Sequence, residues 1–161
     1  MNKTISIVIP CYNEEAGIPN LKQQLDPVVK KLSNQYNVEC LFIDDGSSDR
    51  TNELLHQFYD YEPYAKIIKH EKNKNLGAAL KTGFSHAQGD LVATIDSDCS
   101  FPPSLLLEML PLLNESVDMV TVSAFHPDGK VESTEQWRIF LSKSVSTMYR
   151  FLLNSGIYSH G

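Results

Sequence analysis

Two aspartates one residue apart, in Thr94-Ile95-Asp96-Ser97-Asp98, close an apolar stretch of this chain. A strand sends alternate side chains to one face, so Asp96 and Asp98 would point the same way where the chain leaves a sheet. Like charges so placed repel unless a cation sits between them or they share a proton. Hard oxygen ligands of this kind suit Mg²⁺ or Mn²⁺, which keep waters and complete their shell with substrate phosphates. A solvated Asx-rich turn is the competing reading of the same residues.

Three other polar clusters bear on that choice. Asp44-Asp45-Gly46-Ser47 ends a second apolar run. A carboxylate there can accept from a base N–H or a ribose hydroxyl, and a tight turn with a helix cap is the plainer account. Tyr12, two residues after Pro10, offers a ring for stacking on a nucleobase, or is an ordinary half-buried loop tyrosine. Lys72, Lys74, Asn75 and Gly77 precede a helical pattern, where cations and a helix N-terminus together favour an anion. A solvated charge run explains them equally well.

The elements that would position these clusters alternate along the chain. Ile5–Ile9, Cys40–Ile43, Ala65–Ile68, Leu91–Ile95 and Met119–Val122 read as five strands, the third the weakest. Between them lie helical patterns. The stretch from Glu14 to Ser33 carries Leu21, Leu25, Val28, Val29 and Leu32 at helical spacing, with a break or a late start near Asp26 expected from Pro19 and Pro27. Leu54, Leu55 and Phe58 mark a second helix and Gly77–Ala87 a third, in which Gly83 signals close packing. Leu105–Leu113 is a fourth, begun by Pro103 and kinked at Pro111. A polar segment, Phe125–Glu135, leads to a final helix from Gln136 to Leu153.

Strands alternating with helices imply right-handed crossovers and a mostly parallel sheet with helices on both faces. Ligands of such sheets bind beyond the strand C-termini. The clusters after the first, second and fourth strands all fall on that one edge.

Composition narrows the function. The 161 residues suffice for one domain with a hydrophobic core, and a formal charge of -6 leaves no basic stripe for nucleic acid. Cys11, Cys40 and Cys99 fit neither a disulfide framework nor zinc spacing, and read as reduced thiols of a cytoplasmic protein. No charged leader with an apolar signal core is visible, and no apolar run approaches the roughly 20 residues of a spanning helix. There is no G-x-G-x-x-G after the first strand, no P-loop, no nucleophile elbow and no histidine pair of metal-ligand spacing.

Several motifs in order carry a resemblance. Ile7-Val8-Ile9-Pro10-Cys11-Tyr12-Asn13-Glu14-Glu15, Phe42-Ile43-Asp44-Asp45-Gly46-Ser47-Ser48-Asp49-Arg50-Thr51, Asn75-Leu76-Gly77, Gly89-Asp90, Asp96-Ser97-Asp98 and Pro102-Pro103 together resemble family-2 glycosyltransferases of the GT-A fold. Within that family the chain is most similar to the branch of dolichyl-phosphate mannosyltransferase and polyprenyl-phosphate sugar transferases. The resemblance implies a Rossmann-like, mostly parallel sheet and one catalytic domain over residues 1–161, incomplete at its C-terminal end.

It also implies roles. Pro10, Tyr12, Glu14 and Asp44 or Asp45 would hold the base and ribose of a GDP- or UDP-linked sugar, with Lys74 where many relatives carry arginine. Asp96 and Asp98 would coordinate Mg²⁺ or Mn²⁺ on the diphosphate. Ser100 stands where that branch often has glutamine as a further ligand, and a hydroxyl is shorter and weaker. Arg138 and Ser142, at i and i+4 of Trp137-Arg138-Ile139-Phe140-Leu141-Ser142-Lys143, would bind an acceptor phosphate. An amphipathic packing helix is the alternative there.

The implied reaction is inverting transfer to a polyprenyl-type lipid phosphate, at the cytoplasmic face of a membrane that the protein would touch peripherally. Transfer to a glycan or protein hydroxyl in cell-envelope or polysaccharide synthesis is the alternative acceptor class. A non-catalytic nucleotide-sugar-binding module and a phosphorylatable receiver domain are readings of other classes. Tyr12 in the first loop and the polar segment from Phe125 fit the receiver reading poorly. Neither oligomeric state nor donor sugar follows from the motifs.

Overall fold

The computed structural model describes residues 2–123. By its contacts the chain divides into two units, residues 1–116 and 117–161. The first unit holds all the regular structure described below. Its elements run β1 (Thr4–Cys11), α1 (Ile18–Leu32), β2 (Asn37–Asp44), α2 (Thr51–Tyr59), β3 (Ala65–Lys69), α3 (Leu76–His86), β4 (Leu91–Thr94) and α4 (Leu106–Met109).

The four strands form one parallel sheet in the order β3-β2-β1-β4. Alternation along the central strands creates two cores. Ile5, Ile7 and Ile9 of β1 and Cys40 and Phe42 of β2 turn to one face, where they pack with Leu21, Leu25 and Val28 of α1 and Leu55 and Tyr59 of α2. Val8, Leu41 and Ile43 turn to the other face and meet Ala79 of α3. Each fully buried aliphatic side chain contributes about 1.5–3 kcal/mol, so the two central strands anchor the unit. Gly83 confirms its sequence reading: a Cβ there would overlap Val8, so α3 crosses β1 only because this residue has no side chain.

Three expectations need correction. Helix α1 starts at Ile18 and runs unbroken through Pro27. Pro19 sits in the first turn, where an absent N–H costs nothing. Pro27 is solvent-facing, and the buried row Leu21, Leu25, Val28 and Val29 outweighs its one missing backbone bond. The expected fourth helix shrinks to four residues between 3₁₀ turns at Pro103–Leu105 and Leu110–Leu112, because Pro111 cannot extend an α-helical ladder. Met119–Val122 forms no strand: Met119 and Val122 are exposed, and strand propensity without a ladder partner does not make a strand. The expected helix over 136–153 lies outside the described residues.

Candidate active site

The carboxyl ends of β1, β2 and β4 converge on a cavity of about 390 Å³. β1 and the loop after it contribute Pro10, Cys11, Tyr12 and Glu14, and the position just after β2 contributes Asp45. The loop before α3 and its first turns contribute Asn73, Asn75, Leu76 and Ala79, and the turn after β4 contributes Asp96, Ser97 and Asp98. Residues 84 positions apart in sequence, Tyr12 and Asp96, thus line one space.

The wall built by β1 and β2 is stitched by hydrogen bonds. Asn13, in left-handed backbone (φ 54), donates its N–H to the Ser47 hydroxyl oxygen at 3.0 Å, while its side-chain oxygen accepts from the Ser48 N–H at 2.9 Å. The Glu14 N–H donates to the Thr51 hydroxyl at 2.7 Å, and the Glu15 N–H to Asp49 Oδ2 at 3.1 Å. In return the Arg50 N–H donates to Glu15 Oε2 at 3.1 Å. These crossing bonds flank Tyr12, which is 47% exposed and lines the cavity.

The two neighbouring aspartates that close β2 and follow it, Asp44 and Asp45, part company. Asp45, 3% exposed, lines the cavity. Asp44 is fully buried and does not: its Oδ1 accepts from the Ser47 N–H at 2.8 Å, and its Oδ2 lies 3.7 Å from the Lys69 ammonium with no hydrogen-bond partner. Of the pair, Asp45 is the one that lines the cavity. Lys74 enters the wall through its backbone N–H, bonded to Asp45 Oδ1 at 3.0 Å and Oδ2 at 3.2 Å, while its side chain is exposed.

The opposite wall is electrostatically strained. Partial burial and then the charge of Asp98 raise the Asp96 carboxyl above the ordinary carboxylate range. Burial, Asp98 and Asp49 raise Glu14 in the same direction. Both of Asp98's oxygens accept from Ser100, its N–H and its hydroxyl, each at 2.8 Å. Ser100 therefore orients Asp98 and does not line the cavity. Among the described residues no group of three or more His, Cys, Asp or Glu side chains is placed to hold a metal ion. The donor set that remains, two hard carboxylates that repel each other, fits a Mg²⁺- or Mn²⁺-like ion whose shell is completed by water and phosphate oxygens. Arg138 and Ser142 lie outside the described residues.

Several lining residues had no signal of their own in the sequence. Cys11 sits at the end of a strand whose pattern marks it only as core, and burial pushes its thiol well up, out of reactive range. Asn73, Ala79 and Ser97 join the cavity through backbone geometry that no residue-type pattern announces.

A parallel sheet that gathers carboxylates, a tyrosine and the start of a helix around one cavity beyond its strand C-termini is the GT-A arrangement. The chain belongs to glycosyl transferase family 2, whose model matches residues 6–159. It is 35% identical over 153 residues to an undecaprenyl-phosphate 4-deoxy-4-formamido-L-arabinose transferase of Klebsiella pneumoniae, covering 94% of this chain and 43% of that protein. It is 30% identical over 149 residues to a dolichol-phosphate mannosyltransferase of Pyrococcus furiosus, covering 92% of this chain and 41% of that protein. The crystal structure of glucosyl-3-phosphoglycerate synthase from Mycobacterium tuberculosis, a complex with Mn²⁺, uridine diphosphate and glucosyl-3-phosphoglycerate, superposes with a TM-score of 0.54 at 30% identity. That match covers 69% of this chain and 40% of the synthase. The chain spans less than half the length of these relatives. No helix among the described residues is long and apolar enough to cross a membrane.

Proposed function

We propose that this chain carries the donor site of an inverting glycosyltransferase that uses a nucleotide-linked sugar and a divalent cation. One observation carries the reading: Tyr12, Glu14 and Asp45 share a single cavity with Asp96 and Asp98. The nucleoside lies against the β1–β2 wall, with its base on Tyr12 beside Pro10 and its polar edge toward Asp45. Glu14 supports the ribose side, and Asp44 acts from behind by shaping the turn at Ser47. The diphosphate lies toward Asp96 and Asp98, which hold the cation while Ser100 orients Asp98. Lys74 adds positive charge on the nucleotide side.

A cation held by Asp96 and Asp98 would supply positive charge against the departing diphosphate. The bond from the anomeric carbon to the diphosphate breaks with its electron pair leaving on the diphosphate. An acceptor oxygen forms the new bond from the opposite face, which inverts the centre. A phosphate acceptor is already ionised near neutral pH and needs no general base, whereas a hydroxyl acceptor would. The names of the two sequence relatives favour a polyprenyl phosphate acceptor, with Arg138 and Ser142 receiving its phosphate at a membrane surface. On this reading residues 1–161 belong to one transferase domain.

A thermal-shift panel of UDP- and GDP-linked sugars, each with and without Mn²⁺, tests the proposal. At a ligand concentration 100 times its dissociation constant the folded state gains about 2.7 kcal/mol. For a unit of this size that raises the midpoint by about 10 °C. The account predicts that rise for at least one nucleotide sugar, dependent on Mn²⁺. A flat response across the panel contradicts it.

A further inference from the structure

We propose that His70 is a positioning residue for the donor's nucleoside end, acting through Asp45 and not by touching the ligand. The inference rests on the donor-site reading and adds to it a residue with no assigned role. His70 is buried, 7% exposed, just after the end of β3. Its ring is held on both sides: Nδ1 lies 2.6 Å from Asp45 Oδ1, and Nε2 lies 2.9 Å from the Thr82 hydroxyl on α3. A carboxylate only accepts, so Nδ1 carries the proton, and in the neutral ring Nε2 accepts from Thr82. The His70 backbone N–H also donates to the Asp44 carbonyl at 2.8 Å. One residue thus ties the ends of β2 and β3 to a helix that lines the cavity.

What this clamp holds in place is the loop over residues 71–75. Asp45, fixed by His70, takes the Lys74 N–H on both oxygens. Gly46 turns with φ 71 directly beneath Lys72 and Asn73, so close that a Cβ would overlap their backbone. Beyond Lys74, Asn75 holds φ 72 and ψ 162, backbone space that only glycine enters freely. A strained conformation persists only where its surroundings over-determine it. Loosening the His70–Asp45 bond frees the Asp45 carboxylate to rotate and lets Asn75 relax, disturbing two lining positions at once.

The test compares His70→Leu, His70→Asn and His70→Gln by calorimetric titration with UDP and GDP in the presence of Mn²⁺, with thermal midpoints recorded alongside. The asparagine amide reaches the position of Nδ1 and can donate to Asp45, whereas the glutamine amide reaches toward Thr82. The inference predicts that His70→Leu and His70→Gln weaken nucleotide binding by about tenfold or more, and that His70→Asn stays within about threefold of the unaltered chain. Unchanged binding by His70→Leu overturns it. So does a loss in all three variants that simply tracks their midpoints, because a general structural role gives that pattern. If the unaltered chain binds neither nucleotide, both the donor-site reading and this inference fall. Normal binding by the unaltered chain with an indifferent His70→Leu removes the inference alone.

Discussion

The two walls of the cavity are built on opposite principles. On the β1–β2 side, Asn13, Glu14, Glu15, Ser47, Ser48, Asp49 and Thr51 exchange hydrogen bonds between loops, so the geometry is set before any ligand arrives. On the β4 side, partial burial and then the charge of Asp98 raise the carboxyls of both Asp96 and Glu14, and among the described residues the side-chain hydrogen bond that Asp98 accepts comes from Ser100. One wall is satisfied and the other is left short of positive charge. A preformed surface suits a rigid nucleoside, since ordering costs are met during folding. An acidic surface with unrelieved repulsion suits a partner that brings its own cation and phosphates.

Breaking the satisfied wall should cost the most. Gly46→Ala places a Cβ against the backbone of Lys72 and Asn73 in a left-handed position, and neither obstacle is a flexible side-chain end. The expected loss is about 3 kcal/mol or more of unfolding free energy by denaturant titration. An unchanged midpoint would show that the loop over 71–75 is free to move away.

A smaller effect is expected at Asn13. Asn13→Ala loses the bond to the Ser48 N–H and replaces asparagine, which left-handed backbone tolerates, with alanine, which it tolerates less, for about 2 kcal/mol in all. Asn13→Gly keeps the backbone preference and forfeits only the bonds, so about half that loss should remain. Equal losses in the two variants would assign the whole effect to the hydrogen bonds.

The smallest effect has the opposite sign. Asp98→Asn removes the repulsion that adds to burial in raising Asp96 and Glu14, so the metal-free protein should gain about 1–3 °C in thermal midpoint at neutral pH. The pH dependence follows from the same shifts. Carboxyls raised in the folded state bind more protons than in the unfolded chain, so their contribution to stability declines as pH rises from the ordinary carboxylate range through the raised values. Cation binding should run the other way, weakening as acidification protonates Asp96 and Glu14. A metal-free midpoint lowered by Asp98→Asn would sink this picture of the β4 wall.

The same contrast explains what could be read from the residues alone. β1 and β2 are apolar and β-branched on both faces, as buried parallel strands must be, and their positions were plain. The place of the aspartate pair just after β4, on the cavity, was legible because its signal is local: two carboxylates, alternate positions, one strand end. Pro19 and Pro27 misled because proline propensity is weighed without knowing which face of the helix is buried. Met119–Val122 misled because a strand is a property of its partner as much as of itself. His70 was invisible for a third reason. Its partners Asp45 and Thr82 lie 25 and 12 positions away, and no periodicity links the end of one strand to the flank of the next helix.

The central claim, that Asp96 and Asp98 grip a nucleotide through a cation, is tested most directly by Mn²⁺ paramagnetic resonance. Free Mn²⁺ is titrated with the chain, with UDP or GDP present or absent, and the measurement is repeated with the Asp96→Ala, Asp98→Ala double variant. The account predicts that the chain with one of these nucleotides takes Mn²⁺ up at least about 100-fold more tightly than the double variant does. Equal nucleotide-dependent uptake by the double variant would contradict it.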